Sequence, residues 1–467
     1  MQKTVMTFFL SSLLLGCQHT AVELQSKITL PENYQHVGLA KGTSIVQNWW
    51  ESWQDPQLRR LIQQGLAQNH SIAIAKSKIQ EAQAIAKIAQ STRFPTIAAL
   101  ANTGKSHLDI EQLDITPSAV LGGIRVAWEP DIFGQKSSEA DAAQAAVLGA
   151  QQQFYGAQML VASEIAHYYL QALHSKKQQM LLQRTQTALK TLQHYIEERF
   201  NAGQVSAYER NEIRIKRQSL AAKQAILAAQ FTAAENAIAV LIGDTPQQVK
   251  LDVGEMQKRD ILTHLPSPPS GIQPSDLLNQ RPDIQAQSAN VKAQAAKLAS
   301  AKADLLPRFT LNFLWQTGQI KLDADLPTLQ AWQHFISAGI QLPIFTAGRI
   351  QANIQAADQR LQQALLHYDR TLLQALAEVE THYQQQFSLT QQARLLKQAS
   401  MTQQRQVRDT QKLFQYGDYT FDRVLQARLD ALDLEEKRLE NQLACAMNLV
   451  LLYKAIGLGW QSETDTH

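Results

Sequence analysis

The sequence is poor in cysteine, in charged residues and in the short motifs of catalysis. It has two cysteines in 467 residues, 18% charged residues and a formal net charge of +3. The low charge, without a basic block that could follow a phosphate backbone, argues against nucleic acid as the main partner. The 12 histidines are scattered, and no Walker loop, nucleophile elbow, dinucleotide fingerprint or HExxH motif is present. We therefore expect neither an enzyme nor a protein with a metal ion or non-covalent cofactor.

The apolar run at the N-terminus has the length of a signal peptide. Residues 5–15 are mostly apolar, too short a run for a membrane-spanning helix. Gly16 and Cys17 resemble the end of a bacterial lipobox, after which the cysteine carries diacylglycerol and palmitate. Gln18 stands where an Asp would resemble an inner-membrane retention signal, and this favours the outer membrane. The alternative is an ordinary secretory peptide with an incidental cysteine. Cys445 is left alone in the mature chain, so we expect no disulfide.

Two copies of one plan make up most of the chain. Pro95 and Pro307 each end a helical segment, with a shift of 307 − 95 = 212 residues, and Gly203 and Gly417 are 417 − 203 = 214 residues apart. Such anchors in the same order predict an old internal duplication. Helical periodicity extends over 58–90, 138–200, 206–241, 275–303, 349–414 and 420–455.

Alternating apolar residues predict strands between the helices of each copy. Each run has roughly 9 to 11 residues, which spans a bilayer when the strand is tilted. A sheet of so few strands cannot close a barrel, and an open edge in lipid costs several kcal/mol for each unpaired backbone group. Either other subunits complete the sheet, or the strands are not in lipid. The predicted strands are about 95–104, 118–129, 308–317 and 335–345, with exposed loops at 104–118 and 318–333.

The predicted helices are unusually long. Those before each glycine turn have about 65 residues, which corresponds to roughly 100 Å, and those after it have about 36, or roughly 55 Å. Helices of globular proteins average only about 11 to 12 residues. The pattern predicts a hairpin of long helices that hangs from a pair of strands, twice in the chain, as in a duct that leaves a membrane.

These patterns divide the chain into consecutive segments. The linker contains the helix-breaking stretch LPSPPSG at 265–271. The segments are a lipoprotein signal peptide (1–16), an N-terminal extended segment (17–57), repeat 1 (58–243), a linker or equatorial segment (244–274), repeat 2 (275–457) and a C-terminal tail (458–467).

Five short motifs occur in the order and on the repeat of one known family. They are WWESWQDPQL at 49–58, EPDIFG at 129–134, LLNQRPDI at 277–284, LPIF at 342–345 and LYKAIGLGW at 452–460. The mature chain resembles the outer-membrane factor family of Gram-negative tripartite efflux systems, the TolC/OprM-like proteins, and within it the NodT-type lipoproteins. Each motif is weak alone, but five in this order are specific.

The resemblance implies a mainly α-helical, mixed fold and a homotrimer. Four strands from each chain would form a twelve-stranded transmembrane β-barrel, continued by a long periplasmic α-helical barrel. The implied partners are outer membrane lipid, a periplasmic adaptor (membrane fusion) protein and an inner-membrane transporter of the resistance-nodulation-division (RND) type. The implied function is a passive, gated exit duct for drugs or other toxic small molecules. The alternatives are a type I secretion duct and a structural coiled-coil envelope lipoprotein.

The glycine turns after the long helices are the predicted functional site. Gly203 and Gly417 can take the left-handed conformation that ends a helix, and Ser206 and Thr420 can cap the next one. Ser206 with Glu209 predicts a capping box, which the second turn lacks. The resemblance implies that both turns lie at the periplasmic tip, where they meet the adaptor and close the tunnel.

Charged residues at the second turn depart from the family pattern. The resemblance implies carboxylates near this turn that narrow the tunnel and attract cations. Asp418 and Asp422 provide such acids, but Gln426 stands where an acid is usual and Arg423 lies nearly one turn before it. We therefore expect Asp418, Asp422, Arg423 and Gln426 to shape the gate, and an acidic constriction of the usual kind is in question.

Charged residues at two helix starts are predicted to have structural roles. Asp55 is a plausible N-cap, with Pro56 at the first helical position. Arg281 and Asp283 flank a proline at the matching place in the second copy, and capping is favoured over ligand binding there.

Overall fold

A computed structural model describes residues 28–35, 48–110, 113–258, 260–322 and 328–460. The predicted signal peptide 1–16, the predicted lipidation site Cys17 and tail residues 461–467 lie outside these ranges. None of the helices in the described ranges has a stretch that is long and apolar enough to cross a membrane.

Helices and strands follow the order that the repeat predicts. A short 3-10 helix, Trp49–Trp53, precedes the first α-helix. The α-helices are α1 Pro56–Gln68, α2 His70–Ser91, α3 Gln135–Asn201, α4 Ala207–Leu241, α5 Val253–Lys258, α6 Leu277–Gln280, α7 Pro282–Ala303, α8 Arg349–Gln415 and α9 Phe421–Ile456. The strands are β1 Thr96–Lys105, β2 Leu108–Ile110, β3 Leu113–Ile115, β4 Ser118–Trp128, β5 Arg308–Lys321 and β6 Leu329–Gln341.

The chain divides into two compact units. The strand unit includes Lys78–Gln151 and Ala286–Asp369. The helical unit includes Ile28–Ser77, Gln152–Gln285 and Arg370–His467. Both copies of the repeat contribute to each unit, because each copy supplies strands to the first and a pair of helices to the second.

An antiparallel sheet organises the strand unit. Its order is β1-β4-β5-β6, so the strands of the two copies join at the β4–β5 pair. The register places Ile97 opposite Val126, Val126 opposite Phe313, and Phe313 opposite Ile336. Because successive side chains alternate between faces, these four apolar residues share one face of the sheet.

The strands extend beyond the predicted limits on the side of the connecting loops. β5 continues to Lys321 and β6 begins at Leu329, so the predicted loop 318–333 is largely strand. The cause is a continued ladder, in which Ile320 pairs with Leu329. The predicted loop 104–118 likewise contains the β2–β3 hairpin, because its apolar residues alternate with Asp109 and Asp114.

Small and aliphatic residues hold α7 against the first part of α8 in the strand unit. Val291, Leu298 and Ala301 of α7 form a buried cluster with Ala357 and Leu361 of α8. Alanine at such positions lets two helix backbones approach closely, and burial of the leucines supplies most of the apolar surface removed from water.

The predicted start of the first helix is confirmed in the helical unit. Leu58 N donates to Asp55 Oδ1 at 2.9 Å, and Pro56 takes the first helical position. Tyr169 OH donates to the other carboxylate oxygen of Asp55 at 2.9 Å. Asp55 is thus a cap that also holds α1 to α3, since both carboxylate oxygens have a donor.

A tryptophan cluster precedes this cap. Trp49, Trp50 and Trp53 are nearly fully buried. The ring of Trp49 stacks on that of Tyr453, with centroids 5.1 Å apart and planes inclined by 12°. Aromatic rings bury more surface than other side chains, so this cluster fixes the segment before α1 to the end of α9.

Equivalent contacts at the helix ends reveal the duplication in three dimensions. Asn69 donates to the carbonyl oxygen of Leu241 at 2.8 Å, and Arg281 donates to that of Ala455 at 2.9 Å. Arg281 also bonds Asp283, with Nη2 and Oδ2 2.6 Å apart. Arg281 and Asp283 thus have a structural role through an ion pair, in which a buried guanidinium links a helix start to a helix end.

Candidate functional site

The first glycine turn is held by backbone and side-chain hydrogen bonds. Gly203 has φ +73°, and the following Gln204 N donates to Arg199 O at 2.8 Å, which closes the end of α3. Ser206 Oγ accepts from Tyr208 N at 3.1 Å, and Ser206 N donates to Glu209 Oε2 at 3.0 Å. The predicted capping box is confirmed.

The capping box changes the pKa of Glu209, although this residue lies at the surface. The hydrogen bond from Ser206 holds the pKa of the Glu209 carboxyl below its usual value. A lowered pKa means that the cap favours the charged carboxylate, so the capping box is complete at neutral pH.

The second glycine turn repeats the backbone but not the cap. Gly417 has φ +83°, and Asp418 N donates to Leu413 O at 2.9 Å. Thr420 takes the N-cap position of α9 with extended backbone, but its side chain makes no capping bond. The expectation that Thr420 caps α9 through its side chain is wrong. The third helical residue is Arg423, which supplies no acceptor for the Thr420 backbone N–H.

The two turns pack on each other. Phe421, the first residue of α9, lies between Tyr195 and Phe414, with ring centroids 5.3 Å from each. Leu425 joins the apolar cluster that contains Leu192, Ile196 and Ile213. Buried aromatic and aliphatic contacts of this kind fix the position of one turn relative to the other.

An ion pair also connects the turns. Arg199 Nη1 lies 3.5 Å from Asp422 Oδ1, and both side chains are partly exposed. Sequence patterns identified Asp422 but not Arg199, because the two residues are 223 positions apart. Asp422 therefore faces the first turn, whereas Asp418 is exposed.

Arg423 and Gln426 line a groove with charges of both signs. The guanidinium of Arg423 lies 5.2 Å from the ring centroid of Tyr419, and Gln426 donates to Asp430 at 2.8 Å. The groove has a volume of about 510 Å³, and its other charged residues are Arg405 and Asp409. We call it the balanced groove, because its two arginines face two aspartates.

The balanced groove contains two carboxylates that are not among the predicted residues of the second turn. Asp430 is one helical turn after Gln426, and Asp409 is on the preceding helix. Sequence reasoning missed both, although the spacing of four residues between Gln426 and Asp430 is a usable signal. Within the described ranges, no group of three or more His, Cys, Asp or Glu side chains could hold a metal ion.

Comparison with known proteins identifies the family. The family model described as "Outer membrane efflux protein" matches residues 61–244 and 273–458. The chain belongs to the outer membrane efflux protein family. Its two matched segments are the two copies of the repeat, so the duplication, the mainly helical fold and the predicted family are confirmed.

Relatives of this outer membrane efflux protein are similar to it in sequence or fold along nearly the whole chain. The pyoverdine export outer membrane protein OpmQ of Pseudomonas aeruginosa is 26% identical, over 97% of this chain and 96% of its own. The cation efflux system protein CusC of Escherichia coli is 26% identical, over 98% and 99%. The solved structure of the outer-membrane channel OprN has a TM-score of 0.82 at 22% identity, and covers 94% of this chain and 98% of that one.

These findings establish the class and the location of the protein. A member of this family is an outer membrane transport protein and not an enzyme, as predicted. It functions in efflux, which was the leading interpretation of the sequence.

Proposed function

We propose that this outer membrane efflux protein is the channel subunit of a tripartite pump and works as a homotrimer. Four strands from each of three copies would close a twelve-stranded barrel, and the long helices would continue it as a periplasmic duct. The observation that carries the proposal is the sheet of the strand unit, which has an exposed apolar face and two free edges.

The apolar face supports contact with lipid. Ile97 is 72% exposed and Ile336 is 74% exposed, and both lie on the face shared with Val126 and Phe313. Trp332 is on the same face and is 70% exposed. Large apolar side chains at this exposure are unfavourable in water, whereas the hydrocarbon of a bilayer would solvate them.

The free edges support completion of the sheet by further copies of the chain. β1 pairs only with β4, and β6 pairs only with β5, among the strands that the structure describes. Unpaired backbone groups in lipid cost several kcal/mol each. Pairing of β1 with β6 of a second copy would satisfy both edges, and closure after three copies would give the twelve strands of the proposed barrel.

A lipid on Cys17 is also part of the proposal. We propose that diacylglycerol and palmitate on this residue anchor the mature N-terminus in the outer membrane. Cys445, by contrast, is buried, and burial raises the pKa of its thiol to about 11. Metabolic labelling with a palmitate analogue should mark the protein, and Cys17→Ser should remove the label while Cys445→Ser keeps it.

The two turns are the proposed contact with a periplasmic adaptor, which an RND transporter in the inner membrane would accompany. The residues are Gly203, Ser206, Gly417, Asp418, Thr420, Asp422, Arg423 and Gln426. The packing of Phe421 and Leu425 against α3, together with the Arg199–Asp422 pair, holds the two turns together and supports a rigid docking surface. A photo-crosslinking residue at Asp418 should capture the adaptor, whereas one at Ile97, exposed on the apolar face of the sheet, should not.

Gating at the second turn has a specific test. Gln426→Asp places a second carboxylate beside Asp430, and the cation-to-anion permeability ratio of single channels should rise roughly twofold. Gln426→Glu is the matched control for side-chain length. No change in either variant would mean that the constriction is built by other residues.

The relatives do not identify the molecules that this protein transports. OpmQ is named for pyoverdine export and CusC for cation efflux, at the same 26% identity. We therefore propose export of toxic small molecules without a narrower class. Growth of a deletion strain on drugs, dyes and metals, with and without the restored gene, tests this, and the absence of any sensitised compound would contradict an efflux role.

A further inference from the structure

A second groove in the helical unit has a strongly cationic rim. It has a volume of about 610 Å³ and lies between α3, α8 and α9. Four arginines line it: Arg184, Arg408, Arg428 and Arg438. Glu435 is the one carboxylate among its lining residues, so four positive charges and one negative charge give a formal charge of 4 − 1 = +3. We call it the arginine groove.

The single carboxylate of the groove, that of Glu435, already has an arginine partner. Glu435 Oε1 accepts from Arg184 Nη1 at 2.7 Å. Arg438 Nη1 lies 3.4 Å from Ser400 Oγ, and Arg428 Nη2 lies 3.5 Å from Gln411 Oε1. In the described part of the chain, Arg408, Arg428 and Arg438 have no carboxylate at ion-pair distance. Three guanidinium groups therefore remain for an external anion.

The floor of the arginine groove is apolar. Leu425 and Leu432 are buried beneath it, and Val407 is half-buried beside them. A groove with this floor and this rim suits a ligand that has both an apolar body and an anionic group. Its volume is within the range of small-molecule sites, which is about 300 to 1,000 Å³.

Chemistry of the guanidinium group narrows the ligand class. Its planar set of donors matches the paired oxygens of a carboxylate, sulfonate or phosphate, and such bonds are stronger than neutral ones. Like charges gathered without partners repel each other, and an anion would relieve that repulsion. The balanced groove, on the same two helices α8 and α9, shows that a charge excess is not general in this region.

We infer that the arginine groove binds small organic anions with an apolar body. The inference goes beyond the proposed channel function, because it is argued from the groove of a single chain.

Calorimetry on the full-length protein in nanodiscs of neutral phosphatidylcholine tests this inference. The probe is naphthalenesulfonate, and naphthylmethylammonium has a similar ring with the opposite charge. We expect saturable binding of one sulfonate per chain, about tenfold tighter than the ammonium. Equal binding of both probes, or no saturable binding of the sulfonate, would overturn the inference.

Matched variants locate the site. Arg428→Gln with Arg438→Gln should weaken sulfonate binding by about tenfold or more, since two charged hydrogen bonds are lost. Arg405→Gln with Arg394→Gln, on α8 but outside the arginine groove, should change it by less than about twofold. Replacement of Arg428 and Arg438 by Lys keeps the charge without the planar donors and should give an intermediate affinity. Equal losses in both glutamine pairs would contradict the assignment to the arginine groove.

Discussion

The two glycine turns have the same backbone but different chemistry. Glu209 completes the capping box of the first turn, and the residue at the equivalent place in the second turn, 209 + 214 = 423, is Arg423. The first turn is therefore closed by its own side chains. The second leaves Thr420 without a side-chain capping bond and places the guanidinium of Arg423 near the Tyr419 ring in the balanced groove.

The phenylalanines at the two turns show the same divergence. Phe200 and Phe414 are equivalent, since 200 + 214 = 414. In the first turn the guanidinium of Arg210 lies 4.1 Å from the Phe200 ring centroid, and in the second Phe421 packs on Phe414. The duplicated fold has thus kept the glycines and changed the groups around them. One turn is specified by capping, while the other depends on contacts with the first turn.

The largest effect should come from the glycines after the C-terminal ends of α4 and α9, where the backbone of another segment lies close. Gly243 and Gly457 have positive φ, and an added Cβ would lie 2.6 Å from the carbonyl oxygen of Gln68 or Gln280. Alanine there should lower the free energy of unfolding by about 3 kcal/mol. At Gly203 and Gly417 nothing lies near an added Cβ, so alanine should cost only about 1 kcal/mol. Urea titration of the four variants would contradict this account if all four costs were equal.

The next largest difference in the free energy of unfolding should come from the N-caps of the two turns. Ser206→Ala removes a capping bond and should cost about 1 kcal/mol, whereas Thr420→Ala should change the free energy of unfolding by less than about 0.5 kcal/mol. Thermal unfolding followed by circular dichroism would rank the two. An equal loss in both variants would show that Thr420 does cap α9.

The ion pair between the turns should have a smaller effect. Arg199 and Asp422 are partly exposed, so solvent screens their attraction and a double-mutant cycle with alanine should give a coupling of about 0.5 kcal/mol. Added salt should reduce it. Coupling that is absent at low salt would mean that apolar packing alone joins the turns.

Low pH should distinguish the two turns without any substitution, because it should destabilise the first turn more than the second. The pKa of Glu209 is lowered in the folded protein by the bond from Ser206, so its contribution to stability is present above the unfolded pKa and is lost as the pH falls through the folded value. Hydrogen exchange at the first turn should therefore rise relative to the second below about pH 4. The Glu209→Gln variant should abolish that pH dependence, and persistence of it would assign the effect to another group.

Sequence periodicity predicted the helices and strands of this fold well. It did not predict which residues of neighbouring helices face each other. The alternation at 309–317 and the glycines at 203 and 417 are local signals, and the strands and turns lie there. The Arg199–Asp422 pair depends on how two helices are rotated against each other, and neighbouring residues on a helix differ in direction by about 100°. For the same reason Asp409 and Asp430 were missed, because their groove forms only when α8 and α9 are side by side.

Planar bilayer recording of the purified protein tests the central claim most directly. A homotrimeric outer membrane channel should run faster on a gel when unheated and should produce discrete ion-conducting steps in the bilayer. An elongated protein that forms no conducting steps, although it is folded and its helices are intact, would contradict the channel and favour a structural envelope lipoprotein.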